Sequence, residues 1–179
     1  MQQIVLVRHA AAAGQDPPAA LTNEGQAQAR MLADLLSPYR VQRVISSPFA
    51  RATETIRPLC DRSGLHLQTD DRLIERVLSG RPLIDWREHL RRSFEDLDYC
   101  LEGGESARAA QARGTAVVRS ALESGTRCVL VTHGNLLALI LNALDPRVGF
   151  DEWSALSNPD AFAVDVDQNG PTGFRRIWG

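Results

Sequence analysis

Two arginines and two histidines stand just beyond short apolar runs of this 179-residue chain. Arg8 and His9 follow Ile4–Val7. Ser46, Ser47 and then Arg51 follow the run ending at Ile45. His133 and Gly134 follow the run from Arg127 to Thr132. Runs that are β-branched and apolar on successive residues suit strands buried on both faces of a parallel sheet. Ligands of such sheets bind beyond the carboxyl ends of the strands, so these residues are expected to share one edge. A single one would be read as a surface or capping residue; four at strand ends reverse that reading. Two guanidiniums beside two imidazoles repel a cation and attract an oxyanion, and the Arg fork matches phosphate oxygens two at a time. Helix N-termini after the second run and at Gly134-Asn135 add backbone N–H groups to the same edge. The set points to a phosphate pocket, in which neutral imidazole is also a nucleophile.

The elements that must position these residues alternate. After the first strand, residues 10–20 read as a loop. A helix follows, capped by Thr22 or Asn23, with Ala27, Met31, Leu32, Leu35 and Leu36 on one side and Pro38 ending it. Val41–Ile45 reads as a second strand, Pro48 as the first turn of a helix to about Cys60, and Leu65–Leu67 as a third strand. Residues 76–104 break the alternation with one helix over about 83–97, and read as an insertion above the sheet. Ser106 caps a helix to about Ser124, ended by Gly125; Arg127–Thr132 is another strand; a helix runs from Gly134 to Leu144, stopped by Pro146. Ala161–Val166 and Phe174–Trp178 read as a hairpin around Asn169-Gly170-Pro171. The pattern predicts an α/β fold in three layers. A mostly parallel central sheet is flanked by helices, with a helical insertion over the carboxyl edge and an antiparallel edge strand. Residues 1–179 are expected to form one domain, with the insertion over about 76–104.

Composition excludes several chemistries. All 20 basic residues are Arg, against 22 acidic ones, for a net charge of -2. No Lys means no Schiff base and no Walker-type phosphate lysine, and no overall basic field favours nucleic acid or anionic membrane. Cys60, Cys100 and Cys128 are widely spaced, with no C-x-x-C. A cysteine phosphatase loop needs Arg six residues after Cys; those positions hold His66, Ser106 and Gly134. Residues 1–7 lack the features of a signal peptide, and no apolar run is long enough to span a membrane, so a cytoplasmic protein is expected.

At this point the residues resemble a family. Val7-Arg8-His9-Ala10 resembles the R-H-G signature of the histidine phosphatase superfamily, also called phosphoglycerate mutase-like. Five further segments follow in the family's order. Residues 21–29 (LTNEGQAQA) are similar to L-T-x-x-G-x-x-Q-A, and residues 46–55 (SSPFARATET) to S-S-P-x-x-R-A-x-x-T. Leu73-Ile74-Glu75 resembles L-x-E, Gly103-Gly104-Glu105-Ser106 resembles G-G-E-S, and Val131-Thr132-His133-Gly134 resembles V-x-H-G. The resemblance implies that His9 becomes phosphohistidine, that Arg8, Arg51 and His133 hold the phosphoryl oxygens, and that Glu75 protonates the leaving oxygen and then activates water. Such a transfer depends on charge stabilisation and in-line positioning. To donate a proton near neutral pH, Glu75 needs a dry setting, expected from Leu73, Ile74, Val77 and Leu78.

The chain departs from the pattern at three places. Ala10 replaces the glycine after the nucleophile, Ala12 stands where a hydroxyl is common, and Gln15 stands where the family often has Asn. Gln15 and Gly134 are candidate pocket residues. The mutase-specific stretch with its Lys and paired Arg is absent. Arg81, Arg87, Arg91 and Arg92 of the insertion read either as anion-binding or as a solvated face. Trp86, Phe94 and Tyr99 read either as stacking groups or as core; His66 and His89 read as surface residues. The expected function is a metal-independent, cofactor-free phosphomonoesterase acting on a small phosphorylated metabolite, α-ribazole-phosphatase-like or of broad specificity. The alternatives are a phosphoglycerate-mutase-type phosphotransferase and a non-catalytic anion-binding regulatory domain. The expected partner is the small phosphorylated substrate, with no nucleic acid and no membrane, and the chain as monomer or homodimer.

Overall fold

The structure is a computed structural model that describes residues 4–168 and 170–179. Its centre is a six-stranded sheet in the order β3-β2-β4-β1-β5-β6. β1 (Ile4–Arg8), β2 (Arg43–Ser46), β3 (Leu67–Thr69) and β4 (Cys128–Thr132) run parallel. β5 (Asp160–Asp167) runs antiparallel to β1, and β6 (Gly170–Arg176) antiparallel to β5. Successive strand residues point to opposite faces, so the apolar runs feed two cores. Ile4, Leu6 and Leu130 pack on one side with α4 (Ala107–Glu123) and α5 (Gly134–Leu144). Val5, Val7, Val44, Val129 and Val131 pack on the other with α1 (Asn23–Leu36) and α2 (Ala50–Ser63). This is the expected α/β layering.

Several boundaries differ from the sequence reading. β2 and β3 each start two residues later than expected, because Val44 pairs with Leu67. Pro48 precedes α2 rather than opening it: Phe49 is the extended N-cap. The buried side of α1 is Gly25, Ala29, Leu32, Ala33 and Leu36, while Met31 is exposed. At Gly25 the helix lies so close to the Ala11 carbonyl that a Cβ has no room, and this contact sets the rotation of α1. The insertion helix, α3 (Trp86–Glu95), has ten residues. A five-residue helix missed in the sequence, α6 (Phe150–Ser154), packs against α3. β6 ends at Arg176; Ile177 continues only as a single backbone bond to Ala161. Of the expected hairpin turn, Asn169 lies outside the described residues, and Gly170 takes φ +122°.

Candidate active site

The parallel strands deliver their carboxyl ends to one edge, as expected. Arg8 closes β1 and His9 is the next residue, held by its N–H to the Thr132 carbonyl (3.0 Å) and by Asn158 Nδ2 donating to its own carbonyl (2.8 Å). Arg51 lies in the first turn of α2 and His133 at the junction of β4 and α5. Register fixes the height of these groups: Arg8 pairs with Thr132 across β1 and β4, which sets both imidazoles one residue beyond the sheet.

His9 Nδ1 lies 2.8 Å from the Ala10 carbonyl oxygen. That oxygen can only accept, so Nδ1 carries the proton and Nε2 keeps its lone pair. Arg51 Nε donates toward Nε2 at 3.3 Å. Burial, reinforced by the charges of Arg51 and Arg8, pushes the His9 pKa down to about 4, so the ring is neutral at pH 7. Ala10 fits the backbone without strain on the site: it is fully buried, and its N–H donates to Thr55 Oγ1 at 2.9 Å.

His133 stands edge-on to His9, with ring centroids 5.1 Å apart. Its Nε2 is 2.8 Å from Ser47 Oγ, whereas its Nδ1 is buried without a partner. Burial first, then coupling to the neighbouring His9 and the positive charges of Arg51, Arg113 and Arg8, pushes its pKa far down. Which of Nε2 and Ser47 Oγ donates sets the tautomer, and Nδ1 faces no protein partner in either case.

Unpaired donors recur around this centre. Arg8 NH1 donates to the carbonyls of Leu156 (3.0 Å) and Ser157 (3.4 Å), while its Nε is buried without a partner. Asn135 Nδ2 is the third buried orphan among the described residues. Arg8, Arg51 and Arg76 form no ion pair with any described carboxylate. Burial works against the charge of each. Buried polar groups are ordinarily satisfied, and each orphan donor carries a desolvation cost. An oxyanion, with several lone pairs, is the kind of acceptor that satisfies such donors. Gly134 belongs to the same design. A Cβ there would come within 3.0 Å of the Arg8 guanidinium, so glycine leaves the arginine its place.

Glu75 follows a short 3-10 turn, Asp71–Leu73. Its Oε1 accepts from the backbone N–H of Arg76 (2.9 Å) and Leu136 (3.0 Å), its Oε2 from that of Asn135 (3.0 Å). The carboxylate thus caps the N-terminus of α5, where the exposed amides favour negative charge. This corrects the apolar setting expected for it. Val77 is 52% exposed, and the carboxyl group meets three amides instead of a hydrocarbon wall.

A cavity of about 400 Å³ opens between this edge and the insertion. Its polar wall is Arg8, Gln15, Glu75, Arg76, Gly134 and Asn135, and its apolar wall is Leu78, Trp86, Leu90 and Trp153. His9, Arg51 and His133 are buried and are not part of its lining. The expected pocket residues Gln15 and Gly134 both reach it. Sequence reasoning missed Arg76, Asn135 and Trp153. Arg76 and Asn135 directly follow the nominated residues Glu75 and Gly134, and adjacency is the available signal. Arg76 is 6% exposed, and it donates to the Glu105 carbonyl, Ser93 Oγ and Asn135 Oδ1. Trp153 sits on the unread helix α6 and meets Trp86 edge-to-face, centroids 5.9 Å apart.

Of the insertion arginines, Arg81 does not line the cavity and the other three are otherwise engaged. Arg87 lies over the rings of Trp86, Phe150 and Trp153, Arg91 over Phe150, and Arg92 over Tyr99; none lines the cavity. Phe94 packs against the core, and Tyr99 stacks on His89. Among the described residues, no cluster of three or more His, Cys, Asp or Glu is arranged to hold a metal ion, and no helix is long and apolar enough to cross a membrane.

An imidazole pair thus lies among arginines without an ion-pair partner among the described residues, at the carboxyl end of a parallel sheet, a donor set whose chemistry suits a phosphoryl group. The model of the histidine phosphatase superfamily (branch 1) matches residues 4–172, and the chain belongs to that superfamily. The chain is 32% identical over 165 residues to the probable phosphoglycerate mutase GpmB of Yersinia pestis (strain Pestoides F), covering 80% of this chain and 75% of that protein. Among solved structures, it resembles a mycobacterial glucosyl-3-phosphoglycerate phosphatase in complex with inorganic phosphate. That likeness has a TM-score of 0.78 and 25% identity, over 98% of this chain and 95% of the other. It also resembles, with a TM-score of 0.75 and 21% identity over 99% and 96%, an Escherichia coli protein proposed to be an α-ribazole-5'-phosphate phosphatase. The last likeness shows the fold alone.

Proposed function

We propose that the protein is a phosphomonoesterase that works through phosphohistidine on His9. One observation carries the reading: the Ala10 carbonyl fixes His9 as the neutral Nδ1–H tautomer, which turns its unprotonated Nε2 toward the Arg51 guanidinium at 3.3 Å. The phosphoryl oxygens accept from Arg8 Nε, the Arg51 guanidinium and, with Ser47 donating to Nε2, His133 Nδ1–H. These fixed donors stabilise the charge of the transferring group without reorganisation. Nε2 attacks phosphorus, the P–O bond to the alcohol breaks, and Glu75 gives that oxygen its proton. Oε2, with a single amide bond, is the oxygen free to carry it. In the second half-reaction the Glu75 carboxylate takes a proton from water, the hydroxyl oxygen bonds to phosphorus, and the P–N bond breaks to return neutral His9. The cavity beside Glu75 takes the alcohol, with a flat face against Trp86 and Trp153 and acceptor atoms toward Arg76 and Asn135. A small ring-bearing phosphomonoester fits this division, in line with an α-ribazole-phosphatase-like or broad specificity.

One observation favours a mutase instead. Arg76, buried on the cavity wall with no ion pair, can hold a second anionic group of a substrate retained through two half-reactions. A panel of phosphomonoesters with excess EDTA separates the readings. Hydrolysis expects free phosphate, undiminished by the chelator, at the same rate with or without a phosphorylated acceptor. Transfer of label to that acceptor in place of phosphate release supports the mutase. Activity lost in EDTA and restored by a divalent metal refutes the site as described.

A further inference from the structure

The G-G-E-S segment has no place in the chemistry above, yet its side chains surround the loop that carries Glu75. Arg113, on α4, donates through Nε and NH2 to Glu105 Oε1 and Oε2, both at 2.8 Å. Its NH1 donates to the carbonyls of Arg72 (2.7 Å) and Ile74 (2.9 Å). The backbone of Glu105 grips the other side of the loop: its carbonyl accepts from Arg76 Nε (2.8 Å) and its N–H donates to the Val77 carbonyl (2.7 Å). Residues 72 and 74 before the acid are thus held by the Arg113 guanidinium, and residues 76 and 77 after it by the backbone of Glu105, the partner of Arg113. Thr132 Oγ1 adds a bond to the Leu73 carbonyl (2.8 Å) from the end of β4. The two glycines make the approach possible. Gly103 has φ +69°, with its Cβ position 2.8 Å from Gly80 Cα, and at Gly104 a Cβ would run into the Leu78 carbonyl. Ser106 then caps α4, accepting from Ala109 N–H at 3.1 Å.

We infer that the Glu105–Arg113 pair is a positioning device for Glu75: it fixes the loop so that the carboxyl group meets the leaving oxygen. The inference rests on the reading of Glu75 as proton donor. The pair is part-buried, with side chains 19% and 26% exposed, so the conservative changes Arg113→Lys and Glu105→Gln are the ones that spare the fold. Misplacing an acid by an ångström is costly in rate. Their effect is therefore expected in the chemistry of poor leaving groups more than in the fold.

The test compares Arg113→Lys, Glu105→Gln and Glu75→Gln with the parent protein. Arg113→Lys keeps the charge but cannot reach two carbonyls and a carboxylate together. Single-turnover phosphorylation is measured with p-nitrophenyl phosphate, whose phenolate departs nearly unaided, and with a simple alkyl phosphate. Vanadate affinity and the melting temperature are measured alongside. Both pair variants are expected to lose about ten- to a hundredfold on the alkyl ester. Phenol release and vanadate affinity stay close to the parent's, and a further variant, Arg113→Ala, regains part of its alkyl rate when guanidinium is added. Equal losses for both leaving groups, or lost vanadate affinity, overturn the inference, because the pair then supports the phosphate site or the fold. A leaving-group split in Glu75→Gln without one in either pair variant refutes positioning alone. No split in Glu75→Gln refutes the acid reading and the inference with it.

Discussion

The strongest electrostatic consequence of the site is a loss of stability in mild acid that originates in His9. Burial, with the charges of Arg51 and Arg8, holds this imidazole at about 4 in the folded protein, against 6.5 when exposed. A folded-state pKa below the unfolded one means that the unfolded chain binds the proton first. No stability is lost above pH 6.5, and the loss grows as pH falls toward 4. At pH 5 the unfolded histidine is almost fully protonated and the folded one almost not, a difference of about 2 kcal/mol; by pH 4 it is about 3 kcal/mol. His133, displaced in the same direction, adds a comparable amount over the same window. Carboxylates titrate there too, so the measurement is a difference. His9→Asn keeps a donor for the Ala10 carbonyl and cannot titrate. Urea unfolding of both proteins at pH 7 and pH 5 is expected to show a smaller acid loss in the variant, by about 2 kcal/mol. An equal loss in both would mean that His9 is not held neutral by the fold, and the nucleophile argument would fail with it. The acid limb of kcat/KM is expected to lie near pH 4–5 for the same reason.

Further outcomes follow from single contacts. Arg8→Ala, Arg51→Ala and His133→Ala each remove a charge-assisted or orphan donor, and calorimetry should show vanadate affinity lower by about one to two powers of ten. Gly134→Ala places a methyl group 3.0 Å from the Arg8 guanidinium, and should weaken vanadate binding while circular dichroism stays unchanged. Trp86→Ala should raise KM for ring-bearing phosphomonoesters more than for short alkyl esters, because only the former cover the Trp86–Trp153 wall.

The parts of the fold that the sequence revealed are those governed by burial. Ile4–Val7 and Arg127–Thr132 are apolar on successive residues because both faces of their strands are covered, and their ends therefore located Arg8, His9 and His133. Caps were legible where one side chain satisfies one amide, as Thr22 and Ser106 do. What failed was set by contacts distant in sequence. The rotation of α1 depends on Gly25 meeting Ala11, which no helical periodicity encodes. Helix α6 is too short to show a period, so Trp153 was invisible as half of the cavity's apolar wall. The insertion arginines look like anion ligands in a linear reading, but Arg87 and Arg91 find aromatic faces contributed by α6. The setting of Glu75 was misjudged for a similar reason: its sequence neighbours are apolar, whereas its spatial neighbours are the first amides of α5.

Phosphoryl transfer to His9 Nε2 is tested most directly by trapping the adduct. Parent protein and His9→Asn are mixed with a phosphorus-labelled monoester, quenched within one turnover, and digested for assignment of the label. The site described here expects an acid-labile, base-stable label on the peptide containing His9 in the parent and none in the variant. A label that persists in His9→Asn, or one that survives acid on another residue, contradicts the assignment of His9 as the nucleophile.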